Sequence, residues 1–220
     1  MEIQKNKLFE AINKLKKSEL LSLLEDAFNN MDGKTQRNVF GELFKAHTKK
    51  ERTPEKLLKG IEHFYKKSMD GYYYAPFDVN SKNFSDIPEE TDEWFDELGD
   101  YLDFTSTMVN EQQYEIGLKC FTILFDLIDR MESGEEIVFA DELGSWMIST
   151  KEDYIEKYVI VLSKEVKSIE EYIKILIPRI QSDSYFSFSN EVYKKVKKHS
   201  SDAQLKAIKK EVKLQSIRVK

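Results

Sequence analysis

Five carboxylates, Glu89, Glu93, Asp96, Asp100 and Asp103, recur at spacings of four, three, four and three. On a helix that rhythm lines them along one side. Paired carboxylates can hold a divalent metal or act as acid and base. They do so where they converge in a desolvated pocket beside a histidine or a cation. Here Trp94, Leu98, Tyr101 and Leu102 occupy the opposite side of the same helix, so the acids are expected to face water.

The other reactive residue types are no better arranged. His47, His63 and His199 lack metal-ligand spacing, and the Glu-x-x-His pair of a di-iron bundle does not occur. Cys120 sits between Lys119 and Phe121 in an apolar helix, the setting of an inert core thiol. From Asp78, an EF-hand calcium loop finds oxygen ligands at Asp78, Asn80, Asp86 and Glu89. Lys82 then places a cation where a ligand belongs, and Asn83 replaces the turn glycine. Nucleophile-elbow, phosphate-loop and dinucleotide motifs are missing. The chain reads as non-enzymatic, with no catalytic residue, metal or cofactor expected. A carboxylate- and metal-dependent hydrolase is the last alternative.

Binding chemistry is easier to place. The stretch "GYYYAPFDVNSKNFSDIPEE" (71–90) interrupts the helical periodicity, as does "EEIVFADELGSWMI" (135–148), and both mix acids with large aromatics. As a packed connector, the first would be pinned by Tyr73, Tyr74, Phe77, Phe84 and Ile87. As a surface, the two would offer Tyr73, Tyr74 and Trp146 as anchors. Asp78, Asp96, Asp100, Asp141 and Glu142 would add a negative field that steers a basic protein.

Charge segregation supports that direction. The net charge of −6 divides into +5 over residues 1–69, −18 over 70–153 and +7 over 154–220. The C-terminal lysines Lys206, Lys210 and Lys213 share one helical side, which makes a nucleic-acid accessory role the alternative function. Arg218 is the one arginine among residues 191–220, and stacking aromatics do not line that side. Solvated or internally paired lysines are expected instead, and nucleic acid is not an expected partner.

These groups must be positioned by helices. Only 8 Gly and 4 Pro leave little material for β-turns, while 40% hydrophobic residues support a sizeable core. Leu8, Ile12 and Leu15 mark a first helix. Ser18 caps a second with Leu20, Leu21, Leu24 and Phe28 inward, ended by Gly33, and Val39, Leu43 and Phe44 mark a third. Thr53-Pro54 opens a fourth, with Leu57, Ile61 and Phe64 inward and a stop near Gly71. Helices over about 88–109 and 111–132 follow, the second ended by Gly134. Capping boxes are expected at Thr150 with Asp153, Ser168 with Glu171 and Ser201 with Gln204. A further helix is expected near 184–198, and Pro178 should kink or end its helix.

The chain is therefore read as all-α, an antiparallel multi-helical bundle or α-solenoid-like stack of about nine to ten helices. It forms a single domain over 1–220. One stretch, Tyr114, Gly117, Phe121, Leu124 and Phe125, matches the second helix of a tetratricopeptide repeat, without a second copy. The lone cysteine indicates a reducing, cytoplasmic location. The N-terminal "MEIQKNKLFEAINKLKK" lacks a signal peptide's apolar core, and a membrane association is not expected.

At "FDVNSKNFSDIPEETDEWFDELGD" and "SGEEIVFADELGSWMI" the chain resembles a family of uncharacterised, all-helical bacterial proteins without an assigned activity. The resemblance implies a bacterial origin and a helical fold, and transfers no site residues.

Overall fold

The computed structural model describes residues 4–31, 35–36, 39–41, 43, 53–75, 88–139, 144–182, 188–189 and 191–219. Among them every regular element is a helix, which bears out the all-α reading. Contacts group the chain into two compact units, Met1–Arg52 and Thr53–Lys220. Each is described by itself.

The first unit holds α1 (Lys5–Ile12) and α2 (Lys17–Asn29), with Val39 and Leu43 also helical; Gly33 and Phe44 lie outside the described residues. Helix α2 begins before Ser18, because the Glu19 carboxylate accepts the Lys16 backbone N–H at 2.7 Å and closes the first turn there. The inward faces expected from periodicity are not inward. Neither helix has a buried residue, and Leu8, Leu21, Leu24 and Phe28 are exposed. Periodicity identifies an apolar face, and burial additionally requires something to cover it.

The second unit is built around α5 (Tyr114–Glu132). Gly117, Cys120, Phe121, Leu124, Phe125, Leu127, Ile128 and Met131 are buried on it, so the helix is enclosed on most of its circumference. Helices α3 (Pro54–Met69), α4 (Glu89–Asn110) and α6 (Lys151–Glu165) pack against it. Thr53 caps α3 by accepting the Lys56 N–H at 3.3 Å, with Pro54 at the first helical position. Gly71 and Gly134, both at positive φ, turn the chain just beyond α3 and α5. Helix α4 points Trp94, Leu98, Leu102, Thr105 and Val109 at the core.

The C-terminal layer is α7 (Ile169–Gln181), α8 (Val192–His199) and α9 (Asp202–Leu214), with α8 packed against α6 and α9 against α7. The expected caps hold at Ser168 and as a full capping box at Ser201. Thr150 departs from its expected box: its backbone is left-handed at φ 51, and its side chain makes no cap bond. Pro178 lies inside α7, which ends three residues later at Gln181. The helix expected near 184–198 is seen as α8; residues 183–187 and 190 lie outside the described set. No described helix is long and apolar enough to cross a membrane.

Helices approach closely at Gly117, where an added Cβ would lie 2.9 Å from Val109 Cγ2 and 3.5 Å from Val161 Cγ1. Gly99, inside α4, has open space around the same position. Gly117→Ala should therefore cost about 1–3 kcal/mol through overpacking, while Gly99→Ala should stabilise by about 0.5–1 kcal/mol. Urea unfolding of both variants reads the opposite signs.

Candidate partner-binding surface

Helix α4 carries eight acids and no basic residue. Because Trp94, Leu98 and Leu102 turn inward, the carboxylates project outward: Glu89, Glu90, Asp96 and Asp103 are exposed, Asp92, Glu93 and Asp100 half-exposed. Glu89, Glu90, Asp92 and Glu93 form no ion pair among the described residues. Like charges at i,i+4, such as Glu89 with Glu93 and Asp92 with Asp96, cost the helix roughly 0.2–0.5 kcal/mol each. Acids in the first turn recover part of that against the positive helix end.

The tyrosine run docks on this helix through one ring. Tyr73 is fully buried, in edge contact with Phe64 at 5.7 Å, and its hydroxyl donates to Glu97. Burial raises the Tyr73 pKa, and the Glu97 hydrogen bond and charge add to it. Tyr73 is thus a core peg, a correction to its expected role as a surface anchor. The turn at Gly71 sends it in and leaves Tyr72, 58% exposed, outside. Lys67 joins the group: its ammonium is 4.1 Å from the Tyr72 ring centre, 4.6 Å from that of Tyr73 and 3.8 Å from Glu97. Tyr74 is half-buried. Sequence reasoning missed Tyr72, which only the turn geometry distinguishes from its neighbours.

Beneath the rings lies a polar clasp. Trp94 Nε1 donates to Ser68 Oγ at 2.9 Å, and Ser68 Oγ donates to the Phe64 carbonyl at 2.9 Å. On the other side of Trp94, Thr91 Oγ1 donates to the Phe139 carbonyl at 3.2 Å. The tyrosine run and the 135–139 segment therefore both fasten to α4 between Thr91 and Glu97.

That second segment leads to a 3-10 turn, Gly144–Met147, which packs against α5. Ile137, Val138 and Ile148 are buried, while Trp146 between them remains 68% exposed. The turn rests on α5 and Ile148 follows it into the core, while the Trp146 ring stays exposed. Asp78, Asp141 and Glu142 lie outside the described residues.

Elsewhere, polar groups are committed to each other. Asp126 accepts from Tyr65 at 2.7 Å and from Arg130 at 2.8 Å, and Arg130 also meets Glu135 at 3.1 Å. Arg179 makes a two-pronged pair with Asp129 at 3.0 and 2.7 Å, its guanidinium 4.9 Å from the Phe125 ring centre. On α4 itself, Asp103 accepts from Tyr154 at 2.8 Å. Burial pushes the Cys120 thiol up to about 11, which leaves little thiolate at neutral pH. No group of three or more His, Cys, Asp or Glu that could hold a metal occurs among the described residues.

The densest cluster joins α6 to α8. Glu156 accepts from Lys195 at 2.7 Å, from Lys198 at 2.6 Å and contacts His199 at 2.6 Å. The Lys195 and Lys198 hydrogen bonds, with His199 helping, hold its pKa down to about 2, too low for a useful general base. Depression below the ordinary glutamate value of 4.5 means the cluster stabilises the fold above that pH and is lost as pH falls toward 2. The stability gap between wild type and Glu156→Gln, read by urea unfolding, should be full near pH 5.5 and closed near pH 2. A gap independent of pH would contradict the assignment. No family model, curated protein or solved structure matches this chain.

Proposed function

We propose that residues 53–220 act as a non-enzymatic protein-interaction module whose partner is a basic protein. The observation that carries the reading is Trp146, 68% exposed on a 3-10 turn followed directly by the buried Ile148. An exposed tryptophan on an anchored backbone offers large contact area at little entropic cost, and such residues dominate interface energetics. Tyr72 supplies a second outward ring, held by Lys67. The α4 acids supply a one-signed field that accelerates encounter with a cationic partner and weakens with salt. Asp96 and Asp100 belong to that field, and Tyr74 borders it.

The same reading places the protein in the reducing cytoplasm of a bacterium, supported by its lone, buried Cys120 and by the resemblance of its two irregular blocks. The pairing of α4 and α5, as close as Gly117 on Val109, is compatible with a helical-hairpin scaffold of the tetratricopeptide kind.

Immobilised protein incubated with extract of its source cells tests the proposal. The wild type should retain a basic protein that elutes as salt is raised. Trp146→Ala should weaken retention about thirtyfold, the scale of a hot-spot residue. Glu89→Lys with Glu93→Lys should slow capture and remove the salt dependence. Identical retention by all three proteins would reject this surface.

A further inference from the structure

We propose that the outward side of α9 docks on an anionic lipid surface, with its lysines at the headgroups and Leu214 dipping between them. The inference stands apart from the α4 surface: α9 packs against α7, and α4 against α5 and α6.

Helix α9 buries Gln204, Ile208 and Val212. Lys206, Lys210, Lys213 and Leu214 fall together on the opposite side, within about 100° of arc, and all four are exposed. Lys209, also exposed, flanks them. None of these four lysines is ion-paired among the described residues, whereas Lys195 and Lys198 on α8 are held by Glu156. The two acids of residues 200–219 are engaged otherwise. Asp202 lies in the first turn against the positive helix end, and Glu211 accepts from Gln215 Nε2 at 2.6 Å. Lys206 with Lys210 and Lys209 with Lys213 therefore repel one another across single turns. The end of the helix keeps Leu214 out. Ser216, left-handed at φ 53, turns the chain so that the Ile217 N–H donates to the Val212 carbonyl at 3.0 Å. Ile217 packs on the core, and Leu214 is left 72% exposed beside Lys210. Arg218 adds a fifth exposed cation.

Charge and apolar surface together select the occupant. Five cations within residues 206–218 match an anionic surface. A nucleic acid would be met by arginine forks and stacking rings, but Arg218 is the one arginine of residues 200–219 and no aromatic lies among them. An aliphatic side chain set beside a lysine ridge has no counterpart on a phosphate backbone. At a bilayer it enters the acyl boundary, while the lysine stems cover apolar surface and keep their ammonium groups at the headgroups. The sequence expectation against membrane association rested on the missing apolar leader, which a surface-lying contact does not need.

Vesicle sedimentation of the full chain tests the proposal, with near-ultraviolet circular dichroism of the buried Trp94 reporting that residues 53–220 remain folded. The wild type should sediment with vesicles of mixed phosphatidylglycerol and phosphatidylcholine and be released by about 0.5 M salt. It should stay in solution with phosphatidylcholine alone. Lys206→Gln with Lys210→Gln and Lys213→Gln should weaken binding about a hundredfold, roughly fivefold per lysine. Leu214→Asn should weaken it about tenfold. Lys119→Gln, at a lysine already paired with Glu115 on α5, should leave it intact. A chain that ignores the phosphatidylglycerol vesicles overturns the proposal, as does one that binds pure phosphatidylcholine equally well. So does wild-type binding by the triple lysine variant or by Leu214→Asn. A short DNA duplex bound more tightly than the vesicles, and released by the same lysine changes, assigns the ridge to nucleic acid and overturns it too.

Discussion

The enclosure of α5 is the constraint from which the second unit follows. A helix buried on most sides demands apolar faces from each neighbour, and α3, α4 and α6 supply them. Where α4, α5 and α6 converge, Gly117 lets Val109 and Val161 approach closely. Once α4 commits Trp94, Leu98 and Leu102 to that core, its acids have only the outward side left. The acidic surface is thus a consequence of packing, made possible because a solvated carboxylate costs the fold little. The aromatic edge has a similar origin. Tyr73 enters the core and, through the turn at Gly71, turns Tyr72 out.

Electrostatics then separate the two ends of the unit. Among the described residues, Lys195, Lys198 and His199 are spent on Glu156, Arg130 on Asp126 and Glu135, and Arg179 on Asp129. On α4, Lys67 answers Glu97, while Glu89, Glu90, Asp92 and Glu93 make no such pair. Carboxylates without an ion pair therefore remain on the stretch of α4 where Tyr73 docks, and the compensated clusters serve the packing of α6 on α8 and of α5 on α7. Arg179 shows the second use: its charge is held by Asp129 while its plane covers Phe125 and Tyr158.

Much of the fold was legible in the sequence because long amphipathic helices advertise themselves by period. Thr53-Pro54, Ser201 with Gln204 and Gly134 are local signals and were realised locally. Tertiary facts were not legible. Period alone placed Leu21 and Phe28 inside, yet an apolar face says nothing of what covers it. A run of three tyrosines does not reveal which ring enters the core; the left-handed turn at Gly71 decides that. Glu156 and His199 lie far apart in sequence, and each looks like ordinary helix surface until α6 and α8 are packed together. Thr150 does not cap its helix: its own backbone is left-handed there, and its side chain makes no cap bond. Of the expected site, Trp146 was found by residue type alone. Its exposure beside the buried Ile148 is a tertiary fact that residue type does not reveal.

Hydroxyl-radical footprinting tests the central claim most directly, by comparing the purified protein with the same protein in concentrated, membrane-free extract of its source cells. The account predicts rapid labelling of Trp146 and Tyr72 and none of Trp94 in the purified protein. In extract, Trp146 and Tyr72 should become protected while the exposed Leu214 on α9 labels as before. Equal labelling of Trp146 and Tyr72 in both settings would contradict it.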